Sequence, residues 1–292
     1  MTTQSTSPRH TVIGLDGSAG AAKALAWADA HPELIGRLRP VAAWRTPWWA
    51  VTPPSPGSVA PPPLDDVIDE VRRTAESMMA NTVGDHDPVF VVQGGAGHNL
   101  VDLADDADLL VVGTRGRNAV ADHLLGSVSS HVVAHAPCPV VVVPRDAEAA
   151  QAITRVVVGV DGSTQSLDAL RWALANAPEG AEVEAIQAWS YAPYAGFEVT
   201  ALDPALIEGQ ARASLNELVD KATGEIDRRV IRTVVSGDPR SVLAEAGETA
   251  DLLVVGARGH RGVAHLLLGS VTTALAHRPP TPLVVVPEPD QK

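Results

Sequence analysis

Three glycines recur twice in this sequence with the same gaps: Gly113, Gly116 and Gly126, then Gly256, Gly259 and Gly269. Each set closes an apolar run, D-L-L-V-V-G, and each third glycine precedes a serine, Ser127 or Ser270. A glycine just after a strand lets the chain turn sharply and lets a ligand approach the backbone closely. A helix that opens at Gly-Ser offers unpaired N–H groups and a positive dipole end, which suits phosphate. The pattern therefore reads as a polyphosphate cradle made of two loops. Ordinary turn glycines are the competing reading, but turns alone have no reason to keep one nine-residue gap in both copies.

The elements that must position these glycines follow from periodicity. Leu109–Val112 and Leu252–Val255 are short continuous apolar runs, the signature of buried parallel strands. Helical patterns, Ser127–Ala134 and Ser270–Ala276, come after the third glycines. Upstream, a strand His10–Leu15 ends in Asp16-Gly17-Ser18, and Ser18 is the natural N-cap of a helix Ala19–Ala30. The order then runs strand Leu38–Trp44, helix Asp65–Val83, strand Val89–Val92, short helix His98–Asp105, the glycine stretch, and strand Val140–Val143 closed by Pro144. Val156–Val160 and Asp161-Gly162-Ser163 restart the same order. Trp172 answers Trp27 and Trp189 answers Trp44, each 145 residues on. Strand Ala185–Trp189, helix Ala205–Thr223, strand Val230–Val235, helix Ser241–Gly247 and strand Leu283–Val286 complete the second round.

This alternation predicts an α/β fold: two tandem doubly wound domains, each a five-stranded, mostly parallel sheet with helices on both faces. The expected organisation is a disordered 1–9, a first domain 10–144, a linker 145–154, a second domain 155–287 and a tail 288–292. Seven prolines between Pro47 and Pro63 rule out helix or central strand there, so 46–63 is a long surface loop. Ligands on such sheets bind at the carboxyl ends of strands near the switch point, where Asp16 and Gly113 share one crevice.

Bulk properties narrow the function. A chain of 292 residues suggests two domains. A net charge of −13 argues against nucleic-acid partners. The single cysteine, Cys138, excludes an intramolecular disulfide, fits a reducing compartment and reads as structural. With no apolar leader and no spanning-length apolar run, the expectation is a cytoplasmic protein without a membrane partner. His131 and His135 sit at i, i+4, but their counterparts are Ala274 and Arg278, so they read as solvated helix histidines and no metal site is assigned. There is no Walker A lysine, nucleophile elbow or triad, so no catalytic residue is assigned and any ATP hydrolysis should be weak.

The G-2x-G-9x-G-[ST] pattern, the opening strand that ends in Asp-Gly-Ser and the final V-V-V-P strand together resemble the universal stress protein family. The resemblance covers nearly the whole chain, twice, and is to the tandem, ATP-binding type. It implies that Gly14 and Asp16, and Gly159 and Asp161, line nucleotide pockets, with adenine contacts at Ala43 and Ala188. It implies phosphate and ribose contacts at Gly113, Arg115, Gly116, Gly126, Ser127, Val128 and Ser129. In the second copy these fall on Gly256, Arg258, Gly259, Gly269, Ser270, Val271 and Thr272. Bound Mg²⁺ would sit with ATP near Asp16 and Asp161. The residues leave two alternatives open: both arginines as solvated surface groups, and both aspartates as helix caps beside Ser18 and Ser163.

The first copy departs from the family at the third-strand exit, Gln93-Gly94-Gly95-Ala96-Gly97, which is looser than Ser236-Gly237-Asp238-Pro239 and puts pocket rigidity in question. The resemblance also implies pairing of the two final strands within one molecule and a homodimer of tandem chains. The implied role is a nucleotide-dependent regulator of the stress response or growth state, working on an unknown protein partner. A slow ATPase or phosphotransferase is the alternative. An adaptor that works through the Trp48–Trp49 loop without nucleotide is a further one.

Overall fold

The computed structural model describes residues 9–47, 50, 62–114, 125–190, 203–224, 228–259 and 267–288. The chain divides between Ala150 and Gln151 into two compact units.

The first unit runs β1 (His10–Gly14), α1 (Ala19–Ala30), α2 (Pro32–Ile35), β2 (Arg37–Trp44), α3 (Leu64–Met79), β3 (Phe90–Gln93), α4 (Ala96–Asp102), β4 (Leu109–Gly113), α5 (Ser127–His135) and β5 (Val140–Val143). Its strands lie in the order β3-β2-β1-β4-β5, and every pair is parallel. The second unit runs β6 (Arg155–Val160), α6 (Thr164–Asn176), β7 (Glu182–Trp189), α7 (Pro204–Thr223), β8 (Val230–Ser236), α8 (Pro239–Gly247), β9 (Leu252–Gly256), α9 (Ser270–His277) and β10 (Leu283–Val286). It repeats the order as β8-β7-β6-β9-β10, again all parallel.

The apolar runs dictate this layering. A strand that is apolar at every position can sit only where both sheet faces are covered. Leu109–Val112, Val140–Val143, Leu252–Val255 and Leu283–Val286 are buried throughout. Helix α6 packs with α7, and α8 with α9; in the first unit α4 packs with α5, while α1 lies against β4 and β5. The edge strands β3 and β8 are the half-exposed ones. Because β1 pairs with β4 and the two connect in opposite directions along the sheet, their adjacent carboxyl ends form the switch point. The pairing of β6 with β9 does the same in the second unit.

Several expected boundaries move. Helix α3 stops at Met79 rather than Val83, because the amides of Val83 and Gly84 both bond to the Asp29 carboxylate at 2.9 and 2.8 Å. Strand β7 begins at Glu182, three residues before Ala185. Glu184 breaks the apolar pattern, yet it is buried, accepting bonds from Arg155 Nη2 and Thr233 Oγ1, each at 2.6 Å. Helices α4 and α8 start two residues early, α8 with Pro239 in the first turn where a missing N–H costs nothing. The one-turn helix α2 was not expected. Arg9 is part of the fold, its carbonyl accepting from Arg37 N at 2.8 Å. At the other end of the expected linker, Thr154 donates through N and Oγ1 to Asp251 and Ile153 is buried. Most of the proline-rich loop, Trp48 and Trp49 included, lies outside the described residues, as do residues 1–8 and 289–292.

Candidate functional site

In the second unit the turn after β6 is built by Asp161-Gly162-Ser163. Asp161 Oδ1 accepts from Ser163 N at 3.0 Å, and Gly162 takes the left-handed conformation at φ +87°. Ser163 Oγ then caps α6 by accepting from Ser166 N at 3.1 Å. The first unit repeats each step: Asp16 Oδ1 accepts from Ser18 N at 3.0 Å, Gly17 has φ +77°, and Ser18 Oγ accepts from Ala21 N at 3.1 Å. The serine is therefore the helix cap, and one aspartate oxygen closes the turn.

The glycine loops lean on those turns. A Cβ on Gly113 would run into the carbonyl of Gly20, in the first turn of α1. A Cβ on Gly256 would meet Gln165 O at 2.9 Å, in the first turn of α6. A Cβ on Gly259 would strike Asp161 Oδ2, which sets the loop directly against that carboxylate. From Gly269, the nearest atoms a Cβ would meet are Arg258 Cα at 3.4 Å and Gly259 N at 3.6 Å. Gly269 N donates to Ala257 O at 2.8 Å, as Gly126 N does to Thr114 O. Asp161, Gly256, Arg258, Gly259 and Gly269 thus converge; in the first unit Gly113 meets the first turn of α1 and Gly126 bonds back to Thr114, the residue after Gly113. Arg115 and Gly116 lie outside the described residues.

Helices α5 and α9 open differently from α1 and α6. Their N-caps, Gly126 and Gly269, carry no side chain and supply no capping oxygen. The first helical bonds are Ser130 N to Gly126 O and Thr273 N to Gly269 O. The amides of Ser127, Val128 and Ser129, and of Ser270, Val271 and Thr272, precede them in the turn whose donors have no intrahelical partner. The hydroxyls of Ser129 and Thr272 have a different task. They donate to Gly113 O at 2.6 Å and Gly256 O at 2.7 Å, and both side chains are buried. What these two residues can offer an anion is the main-chain N–H.

Two other pairs take their places. Gly14 is in register with Val41 and Gly159 with Ile186, so Ala43 and Ala188 lie abreast of Asp16 and Asp161. Both alanines are half-buried. A Cβ on Gly14 would sit 2.9 Å from Leu100 Cδ1, and one on Gly159 would sit 2.6 Å from Leu243 Cδ1. These glycines make room for core leucines, and only their backbone is available to a ligand. The two third-strand exits share one bond, Gly94 N to Trp44 O and Gly237 N to Trp189 O, both 2.8 Å. The looser sequence of the first copy leaves that bond unchanged.

Positive charge in the second cradle comes from Arg258, whose Nη2 lies 3.1 Å from Glu288 Oε2. Its Nε is buried and has no acceptor among the described residues. The residues present fit a polyphosphate: small residues where backbone must pass close, uncapped amides at a helix start and a guanidinium with a donor to spare. Among the described residues no group of three or more His, Cys, Asp or Glu could hold a metal ion. His131 instead stacks between His98, at a centroid distance of 4.3 Å, and His135, at 4.2 Å. The sequence pointed to two of these rings, and only the packing of α4 on α5 brings in His98. Burial, and then the neighbouring His135 and His98, push the pKa of His131 down. Cys138 is buried, and that burial pushes its thiol up to about 12, which makes it an inert core group.

The model of the universal stress protein family matches residues 8–144 and again 152–287. Universal stress protein Rv2623 of Mycobacterium tuberculosis is 32% identical over 296 residues, covering 95% of this chain and 96% of its own. Universal stress protein Rv2005c of the same species is 36% identical over 190 residues, and there the match spans 64% of each chain. Among solved structures, a universal stress protein from Archaeoglobus fulgidus superposes with a TM-score of 0.66 at 19% identity, over 95% of this chain and 98% of its own. Among the described residues no helix is long and apolar enough to cross a membrane.

Proposed function

The chain belongs to the universal stress protein family, and from that premise we propose that it binds ATP in two cradles, one in each unit, and serves as a nucleotide-dependent regulator in the cytoplasm. The observation that carries this reading is the pairing, in both units, of a glycine pressed on the neighbouring helix turn with a helix start that has no cap of its own. That combination leaves donors open at the helix start that a Ser or Asp N-cap would have satisfied.

Each part of the nucleotide has a place. The amides of Ser127, Val128 and Ser129, and of Ser270, Val271 and Thr272, donate to phosphate oxygens, with Gly113, Gly116 and Gly126, or Gly256, Gly259 and Gly269, leaving the space. Arg115 and Arg258 add positive charge. Asp16 and Asp161 accept from ribose hydroxyls or stand near a Mg²⁺ carried in with the phosphates. Ala43 and Ala188 are small enough to let a flat base lie over the strand ends, beside the backbone of Gly14 and Gly159. Bound ATP supplies a phosphoanhydride, and this chain's residues bind and orient it.

The test is to denature purified protein and to identify and count the released nucleotide by chromatography. Two ATP per chain is the expected result. ADP in its place supports the slow ATPase. No nucleotide released, and none bound on adding Mg-ATP, defeats the reading and leaves the adaptor. Gly116→Glu combined with Gly259→Glu should empty both cradles, and unchanged nucleotide content in that variant also defeats it.

A further inference from the structure

The two cradles differ in charge at one matched position. The last strand of each unit is followed by a proline, Pro144 or Pro287, and the next residue is Arg145 in the first unit but Glu288 in the second. The end of that strand is bonded to the glycine loop itself: Thr114 N donates to Val143 O at 3.1 Å and Ala257 N to Val286 O at 2.8 Å. The residue after the proline therefore emerges next to the loop. In the second unit it makes a contact there, the 3.1 Å ion pair between Glu288 and Arg258. Arg258 lies between Ala257 and Gly259, against the opening of α9 and one residue from the contact with Asp161. Its guanidinium thus stands at the cradle with one amino group already held by a carboxylate of the same chain.

We infer that Glu288 is a charge-selecting residue of the second cradle. By occupying Arg258 and adding a negative charge, it makes that cradle's preference for ATP over AMP weaker than that of the first cradle, where Arg145 stands at the matched position. This rests on the nucleotide reading above. A phosphate chain reaching Arg258 must displace Glu288 or lie beside it, and each added phosphate charge meets the same repulsion. Arg258 and Glu288 are 33% and 47% exposed, so the discrimination is moderate and is screened by salt.

The experiment measures ATP and AMP binding by equilibrium dialysis at low salt on the full chain, with Gly116→Glu silencing the first cradle. Glu288→Gln should tighten ATP about three- to tenfold and shift AMP by less than about twofold. In the converse background, Gly259→Glu, the substitution Arg145→Glu should weaken ATP relative to AMP. If a silencing substitution disturbs the melt of its unit, the same ratios are read on the unsilenced chain as two-site isotherms. An ATP-to-AMP ratio unmoved by Glu288→Gln overturns the inference. Sodium tripolyphosphate, which has no nucleoside, separates this failure from that of the parent reading. If neither nucleotide binds but tripolyphosphate stabilises the Glu288→Gln chain more than the parent, the nucleotide reading falls and charge selection stands. If tripolyphosphate also makes no distinction, both fall.

Discussion

At the matched ends of α1 and α6 the first unit carries His31 and the second Asn176. Each donates to the tryptophan carbonyl one turn earlier, Trp27 O and Trp172 O, both at 2.7 Å. On the second strands, Arg39 pairs with Asp106 at 2.7 Å, while its counterpart Glu184 pairs with Arg155 at 2.6 Å. The signs are opposite and the strand geometry is the same. At the first loop glycine nothing has been exchanged: Gly113 and Gly256 press on backbone atoms of α1 and α6, and both carbonyls are held by a hydroxyl from the following helix. Where a side chain makes a contact, another chemistry can replace it. Where the backbone makes the contact, only glycine serves.

The strongest way to break this comparison is to add one carbon at each loop. Gly113→Ala and Gly256→Ala should each destabilise their own unit by about 3 kcal/mol, because the obstacle is backbone that cannot swing aside. Chemical denaturation followed by unit-resolved hydrogen exchange checks this, and tolerance in one unit alone would end the equivalence. Next in size is a contrast at the amino ends of β4 and β9. Asp251 takes bonds from Gln151, from Thr154 twice and from Arg155, whereas Asp108 takes one from His10 among the described residues. Burial opposes ionisation of Asp251, but these donors outweigh it and hold its pKa below the usual carboxylate range. Asp251→Ala should cost about 2 kcal/mol and Asp108→Ala less, read as urea midpoints. The Asp251 contribution should be present above a pH of about 4 and fade below it, since the unfolded chain then binds the proton more readily.

Smaller effects sharpen the picture. Gly209 lies exposed within α7 with open space where a Cβ would go, so Gly209→Ala should stabilise the second unit by about 0.5–1 kcal/mol. A lowered His131 pKa means the folded state resists protonation, so the unfolded chain binds more protons once pH falls below about 6.5. The first unit should then melt progressively earlier between pH 7 and 5, a contribution that the second unit, with Ala274 at that position, lacks. His131→Ala should flatten the first unit's profile, and a slope surviving that change would place the titration elsewhere. Least of all, exchanging these two side chains by His31→Asn with Asn176→His should move stability by less than about 0.5 kcal/mol.

Much of the fold was legible because buried parallel strands advertise themselves. Leu109–Val112 and Leu283–Val286 have no polar residue to confuse the pattern, and Ser18 marks the start of α1 to the residue. The failures share a cause, which is a partner distant in sequence. Glu184 reads as a break in a strand until Arg155 and Thr233 are placed beside it. The end of α3 depends on Asp29, about fifty residues earlier, and the histidine stack on the packing of α4 against α5. At the site, the loop glycines were readable from their spacing, whereas the alanines beside the aspartates came only with the family resemblance. The inward-turned hydroxyls of Ser129 and Thr272 were not, because a serine that could face a phosphate and one that holds a carbonyl have the same letter. Glu288 was readable in principle, since the same repeat that aligns the glycines sets it opposite Arg145.

The carboxylates of Asp108 and Asp251 tie down the amino edge of each sheet, and the glycine loops occupy the carboxyl edge. Anchorage and the proposed ligand site therefore lie at opposite ends of the same strands. On that reading, substitutions at one edge change the stability of a unit without touching the backbone of the other, so the scaffold can be hardened first and the proposed site altered afterwards.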